Sequence, residues 1–186
     1  MAKTKMKVVV SPEATAAYAW LSRPDEGQEY SDGKYKVTLV LSKEDKDVEA
    51  FITSITADAN SALEQEFGKI PKGARMPFKD GDEGDKEEFE GKYLIVAKTK
   101  FQPGFVDAHK TPLDDDVYPM SGDVIRASFA LIPYKAGGTI GVTSQLRNVM
   151  LIDKRNNGSG FDDFSEVVDD TPKSKEEIND DEDFDI

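Results

Sequence analysis

The chain has 186 residues and no cysteine, which excludes disulfides, thiol catalysis and cysteine-ligated zinc and favours a reducing compartment. Its formal charge of −13 at pH 7 is concentrated at one end. Residues 162–186 include 12 acidic and 2 basic residues, which leaves 25 acidic and 22 basic residues in the preceding part. Because that part is nearly neutral, the overall charge does not exclude a polyanionic partner.

The first half of the chain alternates between strand and loop signals. Residues 5–10 are short and β-branched and predict a first strand, and residues 14–33 predict a mixed segment that ends in a polar turn. Residues 34–41 predict a half-buried strand with a basic outer face. Its apolar face carries Tyr35, Val37, Leu39 and Leu41, and its other face carries Lys34, Lys36 and Thr38.

A long amphipathic helix follows this strand. Apolar residues recur at three- and four-residue spacing from Val48 to Phe67, Gly68 marks the end, and Ser42 resembles the start of a capping box. The next segment, residues 70–91, contains seven acidic residues and several glycines and prolines. We expect it to be a mobile acidic loop.

The second half predicts three further strands and a tail. Residues 92–101 form a strand whose outer face changes from apolar to basic, and residues 123–134 and 139–152 form a hairpin around residues 135–138. Beyond this point the composition cannot bury enough apolar surface to offset chain entropy. We therefore expect one β-rich domain over residues 1–156 and a disordered acidic tail over residues 157–186.

Catalytic and metal-binding patterns are weak. His109 is the sole histidine, stands in a loop without a nucleophile motif, and is not expected to be catalytic. The run Asp114, Asp115 and Asp116 is more typical of a solvated turn than of a magnesium site. No phosphate-cradling glycine loop and no 18-residue apolar run occur. We therefore expect no enzyme activity, cofactor, metal or membrane partner.

Lysines and arginines on strand faces, with aromatic residues nearby, favour binding of a single nucleic-acid strand. Such binding needs cations for the phosphates and exposed rings for the bases. The sequence predicts that these contacts are made by Trp20, Lys34, Lys36, Lys98, Lys100, Phe101, Arg126, Tyr134, Lys135 and Arg147. Packing or surface solubility is the competing interpretation for each of them.

Several motifs together resemble the phage-encoded single-stranded DNA-binding proteins with an oligonucleotide/oligosaccharide-binding (OB) barrel. The strands GKYKVTLVL at 33–41 and GKYLIVAK at 91–98 carry the resemblance. The other matching segments are GDVIR at 122–126 leading to Pro133 and Tyr134, GVTSQLRNV at 141–149, and the acidic ending DDEDFDI at 180–186. The resemblance covers nearly the whole chain.

The resemblance implies a mainly β fold, namely a five-stranded Greek-key barrel with one long helix after the second strand. It also implies sequence-independent binding of single-stranded DNA in phage replication, recombination and repair, with strand annealing, inside the cytoplasm of the infected host. The acidic tail would dock phage DNA polymerase and helicase/primase. The implied docking residues are Asp180, Asp181, Glu182, Asp183, Phe184, Asp185 and Ile186; homodimer formation is left open.

Two alternatives remain at this point. The chain could be an acidic DNA mimic or replication accessory protein whose tail and residues 80–90 bind a basic partner. It could also be a metal-dependent nuclease that uses residues 114–116. If it binds DNA, the tail, with a net charge of −10, would compete for the same groove as the nucleic acid.

Overall fold

The computed structural model describes residues 6–26 and 31–155. The expectations for the acidic tail, including residues 180–186, lie outside the described residues. Within that described part, the secondary structure consists of eight strands, one α-helix and two short 3₁₀ helices. The strands are β1 (Val8–Val10), β2 (Ala14–Trp20), β3 (Tyr35–Ser42), β4 (Lys79–Asp80), β5 (Lys92–Thr99), β6 (Gly104–Val106), β7 (Val124–Ala136) and β8 (Thr139–Asp153).

Five of these strands close into a barrel. Strand β2 pairs with β3, β3 with β5, β5 with β8, β8 with β7, and β7 again with β2. The β5–β8 pair is parallel, and the other four pairs are antiparallel. This closed ring of five strands is the predicted OB barrel. The expected fold class is confirmed.

Every second side chain of β3 and β5 points into the barrel and forms part of its core. On β3, Val37, Leu39 and Leu41 are fully buried, and on β5 they meet Ile95 and Ala97, which are also fully buried. The intervening residues of these strands therefore face outward. The helix packs against this core.

The helix, α1 (Lys46–Phe67), ends where the sequence predicts but begins one turn later than the predicted capping box. Gly68 adopts a left-handed conformation with φ 75°, and its N–H donates to the carbonyl of Glu64. At the start, Asp45 is the N-cap, because its side chain accepts a hydrogen bond from the N–H of Asp47. The prediction of Ser42 as the cap was wrong, since Ser42 is the last residue of β3. The buried face consists of Val48, Ile52, Ile55, Ala59 and Leu63.

The first strand of the barrel is not the one that the sequence indicated. Strand β1 pairs with β7 outside the ring, and the ring strand is β2, which the sequence analysis assigned to a mixed segment before a loop. The inward residues of β2 include Ala14 and Ala16, both buried. Because these side chains are small, the usual strand signal of alternating large apolar residues is missing.

Residues 80–90, called the acidic arm below, contain regular elements where a mobile loop was expected. Strand β4 pairs with β5, and 3₁₀ helices span Gly81–Glu83 and Glu87–Phe89. The ammonium of Lys43 lies 2.5 Å from a carboxylate oxygen of Asp80 and 2.6 Å from one of Asp82. These hydrogen bonds raise the pKa of Lys43, and they attach the arm to the end of β3.

No helix in the described ranges is long and apolar enough to span a bilayer.

Candidate nucleic-acid interface

Strand register aligns four side chains across the outside of the barrel. Trp20 pairs with Lys36, Lys36 with Lys98, and Lys98 with Gln145, on β2, β3, β5 and β8. Lys36 and Lys98 alternate with the inward-facing Val37 and Ala97, so they point to the outer face. Directly paired residues place their side chains on the same face of a sheet. We call these four residues the outer row.

Further cations lie at one end of this row. Arg147 is two residues after Gln145 on the same face of β8. Lys34 immediately precedes β3 and Lys100 immediately follows β5, at the same end of this antiparallel pair. We call Lys34, Lys36, Lys98, Lys100 and Arg147 the cationic end. Phe101, next to Lys100, is 76% exposed. The sequence prediction grouped these residues by type, and the fold places them together.

Two carboxylates of the β2–β3 connection already contact the lysines of the outer row. The ammonium of Lys36 lies 2.6 Å from Asp25 and 3.5 Å from Asp32, and that of Lys98 lies 3.0 Å from Asp32. Backbone hydrogen bonds from Asp25 to Lys34 and from Gly33 to Asp25 close the base of this connection. Asp32 therefore bridges two neighbouring strands.

These ion pairs shift the pKa values of Asp32 and Lys36. Partial burial would raise the pKa of Asp32, but the hydrogen bond and charge of Lys98, with the Lys34 N–H and the charge of Lys36, lower it to about 2. Burial would lower the pKa of Lys36, but the hydrogen bond from Lys36 to Asp25 and the nearby Asp32 raise it. Both groups are charged at neutral pH. By contrast, within residues 6–26 and 31–155 no ion pair involves Lys34, Lys100 or Arg147.

One aromatic side chain belongs to the outer row and another lies beside it. The guanidinium of Arg23 lies 5.6 Å from the ring centroid of Trp20, within the range of a cation–π contact. Tyr18, two residues earlier on β2, is half exposed. The sequence analysis did not select Tyr18, because it assigned residues 14–33 to a mixed segment that ends in a polar turn. On the strand that forms there, alternation from Ala14 and Ala16 would point Tyr18 into the barrel. Tyr18 points outward because its backbone φ is positive, and the sequence pattern gives no indication of that conformation.

Three of the predicted contact residues lie away from this group. Arg126 pairs with Met150, five residues beyond Gln145 along β8, and its guanidinium lies 3.9 Å from Glu13. Tyr134 and Lys135 pair with Gly141 and Ile140, four and five residues before Gln145. At roughly 3.3 Å per residue, each is separated from the outer row by about 13 to 17 Å along the strand.

The residues considered for metal chemistry do not come together. Asp114, Asp115 and Asp116 are exposed, as is His109. Across the described ranges, no group of three or more His, Cys, Asp or Glu side chains could hold a metal ion. The backbone N–H of His109 donates to Asp107, which is a turn contact.

A family model described as "Enterobacter phage Enc34, ssDNA-binding protein" matches residues 6–182. The chain belongs to this family of phage single-stranded DNA-binding proteins. The family is one of binding proteins and not of enzymes, in agreement with the expectation from the sequence. Among its relatives, the single-stranded DNA-binding protein of Escherichia phage T7 is 26% identical over 198 residues, with 87% of this chain and 82% of the relative covered.

Solved structures of two phage single-stranded DNA-binding proteins have the same fold. The single-stranded DNA-binding protein of bacteriophage Enc34, in complex with single-stranded DNA, matches with a TM-score of 0.69 and 18% identity, covering 80% of this chain and 88% of that one. The T7 protein gp2.5 matches with a TM-score of 0.64 and 23% identity, covering 89% and 96%. At these identities the likeness concerns the barrel and not individual contact residues.

Proposed function

We propose that the protein binds single-stranded DNA without sequence preference across the outer face of β2, β3, β5 and β8. The phosphates follow the cationic end, and the bases lie against Trp20 and Phe101. The observation that supports this placement most directly is the outer row, which puts Lys36 and Lys98 side by side on the two central strands of an OB barrel. That face is where OB barrels bind oligonucleotides. Family membership supports the choice of single-stranded DNA as ligand.

Sequence tolerance follows from the types of side chain involved. Lysine ammonium groups contact phosphates, which are the same at every nucleotide, and aromatic rings stack on any base. Each stacked base contributes about 1 to 3 kcal/mol to binding. Gln145 is the one member of the outer row with both a donor and an acceptor for base edges. Binding should therefore depend on salt much more than on base composition.

We also propose that the acidic tail regulates this face. With a net charge of −10 in residues 162–186, the tail competes with DNA for the cationic end. DNA then releases the tail, and residues 180–186, with Phe184 as the aromatic anchor, bind phage DNA polymerase or helicase/primase. Roles in replication, recombination and strand annealing belong to this proposal.

A fluorescence titration tests the proposed function. Trp20 is the sole tryptophan of the chain and belongs to the outer row, so its emission reports binding at this face. Oligo-dT should quench the emission at low salt, and blunt duplex DNA at equal nucleotide concentration serves as the control. A chain that does not bind oligo-dT by this signal or by anisotropy of a labelled oligomer would contradict the proposal.

A further inference from the structure

The backbone of β2 is distorted at Tyr18. Its φ is 47°, and Lys110 is the one other non-glycine residue with positive φ in the described part of the chain. The pairing of β2 with β3 is irregular between Ala17 and Trp20, which brackets this residue. A bulky side chain with positive φ is strained, and such strain persists only where neighbouring contacts hold it. The distortion thus turns outward a ring that strand alternation would bury.

Contacts with the acidic arm hold the Tyr18 ring in its outward position. The ammonium of Lys86 donates a hydrogen bond to the phenol oxygen and lies 4.8 Å from the ring centroid. Phe89 packs edge to face on Tyr18, with the ring centroids 6.4 Å apart. Despite these contacts, Tyr18 is 50% exposed to solvent. The ring is therefore fixed in orientation and accessible to solvent, which lowers the entropy lost when a ligand stacks on it.

The arm itself is anchored firmly enough to act as a support. Its base pairs with β5, and Lys43 of the β3–α1 connection bonds to both Asp80 and Asp82. Asp82 also accepts a hydrogen bond from the N–H of Gly91. The arm reaches Tyr18 on β2 although β3 separates β2 from β5 in the sheet. It therefore extends over the outside of the barrel past β3.

Charge divides the outer face into two ends. The arm joins β5 at its first residues, whereas Lys98 is the last residue but one of the same strand and Lys100 follows its end. Lys86 is the sole cation among residues 80–90, and it is engaged by Tyr18. The surrounding acidic side chains are exposed and repel phosphates. A bound strand thus keeps its phosphates at the cationic end and away from the acidic arm, and it reaches Tyr18 through a base.

We propose that Tyr18 is a base-stacking residue of the groove and that the acidic arm holds its ring in place. This inference rests on the proposed function and adds to it a contact residue that the sequence pattern did not indicate. It also gives the arm a function, since its acids keep the phosphates of the strand away and its Lys86 and Phe89 support the ring.

Glycine at position 18 provides a clean test. Tyr18→Gly removes the ring and suits a positive φ, so the barrel should remain folded. Tyr18→Phe keeps the ring and removes the hydrogen bond to Lys86. Each full-length variant is titrated against labelled oligo-dT and against an abasic oligomer of the same length, at several salt concentrations. Thermal unfolding of each variant checks the fold.

The expected result is a loss of oligo-dT affinity between about 5-fold and 150-fold in Tyr18→Gly, with an unchanged slope of log affinity against log salt. Tyr18→Phe should retain most of the affinity. The abasic oligomer should show little difference between wild type and Tyr18→Gly, because it has no base to stack. An equal loss on both oligomers, or no loss on oligo-dT, would overturn the inference while leaving the proposed function intact. Failure of the wild type to bind either oligomer would contradict the proposed function itself.

Discussion

Lys36 and Lys98 face each other across the β3–β5 pair, and the carboxylate of Asp32 contacts both ammonium groups, at 3.5 and 3.0 Å. A single anion thus lies between two cations on the strands that are central to the proposed groove. A phosphodiester that binds both lysines must take the place of this carboxylate. Because Asp25 also contacts Lys36, at 2.6 Å, two carboxylates offset the two ammonium groups, and the outer row is close to neutral before DNA binds. The β2–β3 connection therefore sets part of the free-energy cost of binding.

Asp32→Asn should tighten the binding of oligo-dT. Without the carboxylate, Lys98 loses its ion-pair partner while Lys36 keeps Asp25, so Lys98 attracts solution anions, which DNA releases when it binds. We expect a gain of several-fold at low salt and a steeper salt dependence, by up to about 0.7 in the log–log slope for each additional phosphate neutralised. Fluorescence anisotropy of a labelled oligomer measures both quantities.

Asp115→Asn is the matched control for this change, because it removes the same charge from an exposed loop position. It should leave the slope unaltered. Weaker binding by Asp32→Asn would mean that Asp32 positions the lysines for DNA and does not compete with it.

The same aspartate should contribute to stability in a pH-dependent way. Its pKa is lowered from 3.8 to about 2 in the folded protein, so its ion pairs stabilise the fold above pH 4. This contribution decreases as the pH falls from about 4 to about 2, where the folded-state carboxyl takes up its proton. Urea unfolding should show wild type more stable than Asp32→Asn at pH 7 and 5, with the difference shrinking at pH 3. A difference that persists undiminished at pH 2 would argue against the ion pairs as its origin.

Lys98 and Arg126 should differ in their effect on DNA binding. Lys98→Gln removes a cation of the outer row, so it should weaken binding to all sequences alike and reduce the salt slope by about 0.7. Arg126→Gln removes an equal charge from β7. The partner of Arg126, Met150, lies about 17 Å beyond Gln145 along β8, so this change should have a smaller effect. Equal losses would indicate that DNA wraps around the barrel to reach β7. A change in base preference on loss of Lys98 would contradict a phosphate contact.

Deletion of residues 162–186 should raise the affinity for oligo-dT at moderate salt. The deletion removes a net charge of −10, which under the proposed function competes with DNA. The gain should disappear as salt screens the tail. A scrambled tail of identical composition should restore the wild-type affinity if charge alone is responsible. Unchanged or weaker binding after deletion would rule out competition by the tail.

Gly81 is required for the folding of the acidic arm. A Cβ at this position would lie 2.0 Å from the carbonyl oxygen of Phe89 and 2.8 Å from that of Lys92, so Gly81→Ala forces backbone atoms apart. We expect a loss of about 1 to 3 kcal/mol in the free energy of unfolding. At Gly84 the nearest atom would be 3.6 Å away, an ordinary contact, and Gly84→Ala should be nearly neutral. Urea denaturation of the two variants measures the difference, and equal stabilities would show that the arm adapts without strain.

Local patterns predicted much of the barrel. Strand β3 and the hairpin of β7 and β8 were predictable because large apolar residues alternate along them, and α1 because its apolar residues recur with helical spacing. Strand β2 was missed because its buried residues Ala14 and Ala16 have small side chains and do not give the alternation of large apolar residues that marks a strand. The acidic arm was expected to be mobile because its composition is polar. Its attachment depends on Lys43, which is 37 residues from Asp80 in the chain.

The amino-acid sequence alone determined that this chain forms a β-rich domain with one amphipathic helix, and that most of its negative charge follows that domain in the chain, because these properties depend on composition and on short-range periodicity. The barrel itself was what the family resemblance implied. Only the tertiary structure decided which cations share a surface. Lys36 and Lys98 are neighbours through strand register, whereas Arg126 is distant, and this register results from long-range pairing. The contact of Asp32 with Lys98 and the hydrogen bond that holds Tyr18 to Lys86 likewise join segments far apart in the chain.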